Sequence, residues 1–161
     1  MRTTEYPSNQ NFTVEGVKHI NVADAFEDLQ NGEAVMIDVR EMEEVQIESF
    51  QHERVLNHPM SVIMDRLPYI AKDQSIIVAC TSGIRSVKIA NLLQYQGFPD
   101  VSNLDGGLVA WRKNKLPTLS ILPETGCGCH SGDKKPELAI KNPVSKAAYA
   151  GNIDFKNVTR I

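Results

Sequence analysis

Apolar positions recur along the first three-quarters of the chain in two alternating patterns. Short apolar runs stand at 17–20, 34–38, 54–57, 75–79 and 101–104. Of these, Ser75-Ile-Ile-Val-Ala79 is the richest in β-branched residues and reads most clearly as a strand. Between the runs the spacing turns helical. Asn21 is a cap for a helix from Val22 to about Gln30, with Ala25, Phe26 and Leu29 on one face and Asn31-Gly32 as its stop. Ser61 to Leu67 reads as a short helix ended by Pro68. Arg85 to Gln96 reads as a longer one, with Val87, Ile89, Leu92 and Leu93 toward its buried side and Gly97 as the stop. Asp105-Gly106-Gly107 then leads into a helical turn through Trp111.

Strands alternating with helices predict an α/β domain: a mostly parallel five-stranded sheet with helices on both faces. Ligands of such sheets sit beyond the carboxyl ends of the strands. Asp38, Cys80 and Asp105 each stand at or just after a strand end, so their loops are expected to share one rim. At Pro117 the pattern breaks, and half of the eight prolines lie beyond Leu116. The expected organisation is a domain over 1–116 and an irregular C-terminal tail over 117–161. Within the tail, Ser145 to Ala150 fits a helical turn and Ile153 to Ile161 a short extended piece. There is no internal repeat.

Composition narrows the functions. A chain of 161 residues, 42% hydrophobic, can fill one α/β core and not two. Its 17 basic and 20 acidic side chains are dispersed, with no basic stretch dense enough for nucleic acid or an anionic membrane. Residues 1–10 lack the apolar core of a signal peptide, and no apolar run approaches the ~20 residues that span a bilayer. The expectation is a soluble, cytoplasmic protein. Three cysteines, at 80, 127 and 129, are too few and odd in number for a disulfide framework. They read as reactive thiols or metal ligands, or as small buried apolar residues.

Cys80-Thr81-Ser82-Gly83-Ile84-Arg85-Ser86 is the segment where chemistry concentrates. A strand delivers the sulfur, a glycine turns the chain and a helix begins. Successive backbone N–H groups then point into the loop, with the positive end of a helix dipole behind them. An anion at the centre is stabilised, which favours the thiolate, the nucleophilic form. Neither a histidine nor a cofactor is needed for that activation.

At this point the chain resembles the rhodanese superfamily over about residues 17 to 113. The resemblance is carried by Ile37-Asp38-Val39-Arg40-Glu41, by the Cys80 loop ending in Arg85-Ser86, and by Leu104-Asp105-Gly106-Gly107 followed by Ala110-Trp111. It implies a rhodanese-like fold and a single-domain thiosulfate sulfurtransferase, with Cys80 as catalytic residue and Thr81, Ser82, Gly83, Ile84, Arg85 and Ser86 as the substrate-binding loop. The implied mechanism has two displacements. Cys80 takes sulfur from thiosulfate, polysulfide or a similar small donor, and its persulfide passes the sulfur to cyanide or a thiol. Related phosphatases and arsenate reductases carry Cys-x5-Arg, whereas this chain reads Cys-x4-Arg, a tighter ring suited to a single sulfur atom. A third reading, a non-catalytic module that binds a partner or senses reactive sulfur, is compatible with a reversibly modified Cys80.

Side-chain roles within that resemblance divide as follows. Arg85 either binds an anionic donor or pairs with a carboxylate such as Asp38 or Glu41 and fixes the loop. Asp38 and Arg40 are expected as loop support, Asp38 ordering the loop and Arg40 acting as a structural or rim cation. Ser86 either bonds the sulfur or is an ordinary first-turn residue. Gly106 and Gly107 are expected to permit close backbone approach, and Trp111 to lie in the core.

The family's Gly-His-Ile-Pro-Gly-Ala stretch is absent. Phe50-Gln51-His52-Glu53-Arg54 stands there instead, with His52 and His58 expected to be surface or packed residues. The loop also has neutral Thr81 and Ser82 where thiosulfate-preferring members often carry cations, which leaves the donor open. In the tail, Cys127-Gly128-Cys129-His130 admits three readings: a relay accepting sulfur from Cys80, a metal site lacking common zinc spacing, or an idle exposed segment. No metal is assigned.

Overall fold

The computed structural model describes residues 1–121. Its main sheet contains β1 (Thr3–Thr4), β2 (Lys18–Ile20), β3 (Ala34–Asp38), β5 (Val55–Asn57), β6 (Ser75–Ala79) and β7 (Val101–Leu104). The spatial order is β1-β2-β7-β6-β3-β5. The five strands from β2 to β5 are mutually parallel, as the alternation predicts. To them the two-residue β1 adds an antiparallel edge, too short to show a period of its own.

The helices fall on both faces. In β6, Ile76 and Val78 pack on one side while Ile77 and Ala79 pack on the other, because successive side chains of a strand alternate. α4 (Ile84–Tyr95) covers the first side through Val87, Ile89, Ala90 and Leu93. α1 (Val22–Asn31) and α5 (Gly107–Lys113) cover the second through Leu29 and Trp111. Two-sided burial is why these strands read as continuous apolar runs. Each fully buried Val, Leu or Ile among them contributes roughly 1.5–3 kcal/mol.

Local signals held where neighbours alone decide. Asn21 Oδ1 accepts from Ala23 N at 3.0 Å and Asp24 N at 2.9 Å, and Gly32 closes α1 in the left-handed conformation at φ 76°. The stretch expected as one helix ended by Pro68 is instead broken. A 3-10 turn (Met60–Val62) leads into α3 (Ile63–Arg66), and a second 3-10 turn (Leu67–Tyr69) accommodates Pro68 at its start. A proline there costs no hydrogen bond, because the first turn's N–H groups have no intrahelical partner.

Past Pro117, where the tail is expected to begin, the described chain adds one further strand that ends at Ser120. α2 (Met42–Ile47) is followed directly by β4 (Glu48–Phe50), which pairs antiparallel with β8 (Thr118–Ser120). The pairing is anchored by Pro117, whose carbonyl accepts from Trp111 Nε1 at 2.9 Å and Gln51 N at 3.1 Å. Trp111 is fully buried, so its indole N–H requires a partner, and the segment after α5 supplies it. Cys127, Cys129 and His130, with the turn and extended piece expected at 145–161, lie outside the described residues. Among the described residues no helix is long and apolar enough to cross a membrane.

Candidate active site

β7, β6 and β3 are neighbours and parallel, so Asp105, Cys80 and Asp38 emerge side by side at one carboxyl rim. Cys80 follows the last residue of β6, and α4 begins four residues later. Gly83 makes that reversal in the left-handed region, at φ +89°, where a side chain would be strained. Its N–H then points back at the sulfur, 3.2 Å from Cys80 Sγ. Ser86 Oγ, in the first turn of α4, donates to the same sulfur at 3.3 Å. Cys80 is 1% exposed and Ser86 fully buried. The thiol thus sits under the N-terminus of a twelve-residue helix, with two donors aimed at it.

The floor of the loop is fixed by backbone contacts. Leu108 N donates to Cys80 O at 2.9 Å, and Val109 N to Thr81 O at 3.0 Å. Those bonds bring α5 so close that a Cβ on Gly107 would stand 2.3 Å from Cys80 O. The approach expected of the Gly106-Gly107 pair is therefore realised, and it serves the cysteine loop directly.

Arg85 is paired. Its two terminal nitrogens donate to the two carboxylate oxygens of Glu44, each at 2.6 Å. Thr81 Oγ1 completes the triangle, accepting from Arg85 Nη2 at 3.1 Å and donating to Glu44 Oε1 at 3.2 Å. The hydrogen bonds from Arg85, opposed in part by desolvation and aided by its charge, pull the Glu44 carboxyl from 4.5 to about 2. The Glu44 bonds in turn raise the Arg85 guanidinium, with smaller contributions from the charges of Cys80 and Asp38. Ser82 and Ile84 point outward and are exposed.

Asp38 and Glu41, the carboxylates expected to meet Arg85, are engaged elsewhere. Asp38 binds Arg40: its oxygens accept from Arg40 Nε at 3.0 Å, Nη2 at 2.6 Å and the Arg40 backbone N at 3.1 Å. Both side chains are 2% exposed, and Arg40 Nη1 reaches Glu48 O at 3.0 Å. Arg40 is therefore a buried cation tying the end of β3 to the start of β4, and Asp38 orders that tie and not the Cys80 loop. Glu41 accepts from the N–H and the hydroxyl of Ser61. Asp105 accepts from Ser8 N, Asn9 N and Asn9 Nδ2, holding the N-terminal segment.

The two histidines take packed positions. His52 Nδ1 accepts from Arg54 N at 3.1 Å, and its ring meets Phe26 edge-on. His58 donates its backbone N–H to Asp38 O at 3.0 Å, and burial, then the charge of Arg66, lowers its ring's basicity. Glu44 is the site residue that the sequence did not single out. Its place three residues after Glu41 marks it as a helix-start residue, since it accepts from Glu41 N at 3.3 Å, but nothing local names Arg85 as its partner.

The chain is similar to known proteins over the described domain. The Rhodanese-like domain family matches residues 22–114, more than half of the chain. A sulfurtransferase of Allochromatium vinosum is 38% identical over 65 residues, which cover 40% of this chain and 61% of that protein. The thiosulfate sulfurtransferase GlpE of Glaesserella parasuis is 33% identical over 99 residues, covering 58% of this chain and 84% of that one. Among solved structures, a rhodanese-related protein from Thermoplasma volcanium superposes with a TM-score of 0.57 at 25% identity, over 63% of this chain and 96% of that one. With its fold, its cysteine at the strand end and this match, the chain belongs to the rhodanese-like domain family.

Proposed function

We propose that this protein is a sulfurtransferase that carries sulfane sulfur as a persulfide on Cys80. One observation carries the reading: Gly83 N–H and the Ser86 hydroxyl both donate to Cys80 Sγ at the head of α4. Those donors favour negative charge on sulfur, so they favour the attacking thiolate and, after transfer, the terminal sulfur's anion. In the first step the Cys80 thiolate attacks the outer sulfur of a donor such as thiosulfate. The donor's S–S bond breaks and sulfite leaves with the electron pair. In the second step a thiophile such as cyanide or a thiol attacks the outer sulfur of the Cys80 persulfide. The thiolate leaves, and thiocyanate or a new persulfide departs. No cofactor enters either displacement.

In this reading the backbone of the loop from Thr81 to Ser86 surrounds the transferred sulfur, with Gly83 N–H and the Ser86 hydroxyl as direct contacts. Arg85 fixes the loop through Glu44, and Arg40 with Asp38 holds the neighbouring strand end. The name of the Glaesserella relative favours thiosulfate as donor, and the pairing of Arg85 with Glu44 favours polysulfide or a related persulfide.

Peptide mass spectrometry after incubation with thiosulfate, and separately with polysulfide, tests the reading. One added sulfur on Cys80, removed by cyanide with release of thiocyanate, is expected. No adduct from either donor would rule out transfer and favour a module that binds or senses without turnover.

A further inference from the structure

The segment from Ser8 to Thr13 forms a strap over the rim that holds Cys80, bonded to Asp105 after β7 and to Gly83 after β6. Two glycines of that rim vacate the space it fills. A Cβ on Gly83 would stand 1.6 Å from Gln10 Oε1, and one on Gly106 would stand 2.6 Å from Asn9 Cβ. Both glycines are left-handed, at φ +89° and +73°. Neither the turn nor the strap can take its present form with a side chain at these positions.

The amide of Gln10 ties the two glycine turns together. Its Oε1 accepts from Gly106 N at 3.1 Å and from Asn103 Nδ2 at 3.1 Å. Its Nε2 donates to Phe12 O at 2.7 Å and reaches Gly83 O at 3.4 Å. The orientation of the Gln10 amide follows from its backbone partners, since Gly106 N can only donate and Phe12 O can only accept. Asn103 Nδ2 spends its other hydrogen on His19 Nδ1 at 3.1 Å, which leaves His19 Nε2 to donate to Thr13 Oγ1 at 2.8 Å. A ring with one accepting and one donating nitrogen is neutral, and its burial favours that form. With the acceptor end of Gln10 held by Asn103 and Gly106, its donor end bonds Phe12 O and lies against Gly83 O.

Gly83 is the residue whose N–H holds the sulfur. Its carbonyl takes Gln10 on one side and Val87 N, at 3.2 Å, on the other. Glycine has the widest backbone freedom of any residue, so its N–H keeps one direction only when the adjoining peptide is held. We propose that Gln10 is a positioning residue for the Cys80 loop, aiming the Gly83 N–H at the sulfur while it locks the Gly106 turn against the Cys80 carbonyl. It acts through Gly83 and does not touch the sulfur. The inference rests on Cys80 as the reacting sulfur but not on sulfur transfer, so a test with an alkylating agent separates the two.

The test is the pH–rate profile for iodoacetamide alkylation of Cys80, read by peptide mass spectrometry so that Cys127 and Cys129 are counted apart. Wild type is compared with Gln10→Ala, Gln10→Met, Gln10→Glu and, as control on the same strap, Asn11→Ala. Losing a fixed donor to the thiolate should move the Gln10→Ala midpoint up by about half a pH unit or more. Gln10→Glu, which keeps the side-chain shape and adds a negative charge, should move it further, and Asn11→Ala should leave it in place. Gln10→Met, close in shape and uncharged, carries the test if Gln10→Ala loses the fold, because the shift in Gln10→Glu includes the added charge. Midpoints equal to wild type in the uncharged Gln10 variants, with cooperative thermal transitions, would overturn the proposal.

Discussion

Glu44 and Arg85 are joined by two parallel hydrogen bonds of 2.6 Å, linking the exposed helix α2 to the loop that carries Cys80. The pair cancels the cation contributed by that loop. A doubly charged donor must then be met by backbone N–H groups and hydroxyls. Glu44→Gln frees Arg85 while keeping the side-chain shape. Its KM for thiosulfate should fall by about three- to tenfold, the ~1 kcal/mol scale of a half-exposed ion pair, with little change in kcat. An unchanged or higher KM would mean that Arg85 serves the loop and never the donor.

The same pair sets an acid limit. The Glu44 carboxyl is depressed in the folded state, from 4.5 to about 2, chiefly by the hydrogen bonds from Arg85. A depressed carboxyl stabilises the fold fully above its ordinary value, and the contribution is lost as pH falls through the folded value. The melting temperatures of wild type and Glu44→Gln should therefore differ by a constant amount above pH ~5 and converge between about 4.5 and 2. Parallel curves across that window would remove the pair from the stability account.

Ser86 tests the sulfur cradle. Ser86→Ala deletes the hydroxyl at 3.3 Å from Cys80 Sγ and leaves Gly83 N in place. Single-turnover loading of Cys80 should slow about two- to tenfold, the worth of one hydrogen bond, and the melting temperature should change little. Cys80→Ser should carry no adduct at all.

Gly107 tests the floor. At φ +56°, with a Cβ only 2.3 Å from Cys80 O, Gly107→Ala combines backbone strain with a clash against backbone that cannot rotate away. A loss of at least about 2 kcal/mol follows. It should appear as a fall of several degrees in melting temperature together with slower alkylation of Cys80. Normal stability and reactivity would show that α5 can retreat without cost.

The buried Asp38–Arg40 pair predicts an asymmetric result. Removing Arg40 alone, as Arg40→Met, strands a carboxylate that is 2% exposed and should cost about 3–5 kcal/mol. Pairing it with Asp38→Asn removes the stranded charge and should recover part of that loss. Chemical denaturation of Arg40→Met, Asp38→Asn and the double variant measures both quantities, and additive losses would argue against coupling.

What the sequence determined by itself is what neighbours along the chain can settle. The runs at 34–38 and 75–79, the Asn21 cap, the stops at Gly32 and Gly97, and the delivery of Cys80 from a strand into a glycine turn all follow from period and backbone preference. Asp38, Glu41 and Glu44 lie within one short stretch, and a charge argument cannot rank them as partners for Arg85. Asp38 is taken by Arg40 two residues on, and the direction in which α2 packs gives Arg85 to Glu44 and Ser61 to Glu41. The β4–β8 pairing was equally hidden, because three-residue strands carry no period and their meeting depends on the indole of Trp111 finding Pro117 O. The seat of Gln10 on Gly83 and Gly106 joins residues more than seventy positions apart, and only the closed sheet brings them within hydrogen-bonding distance.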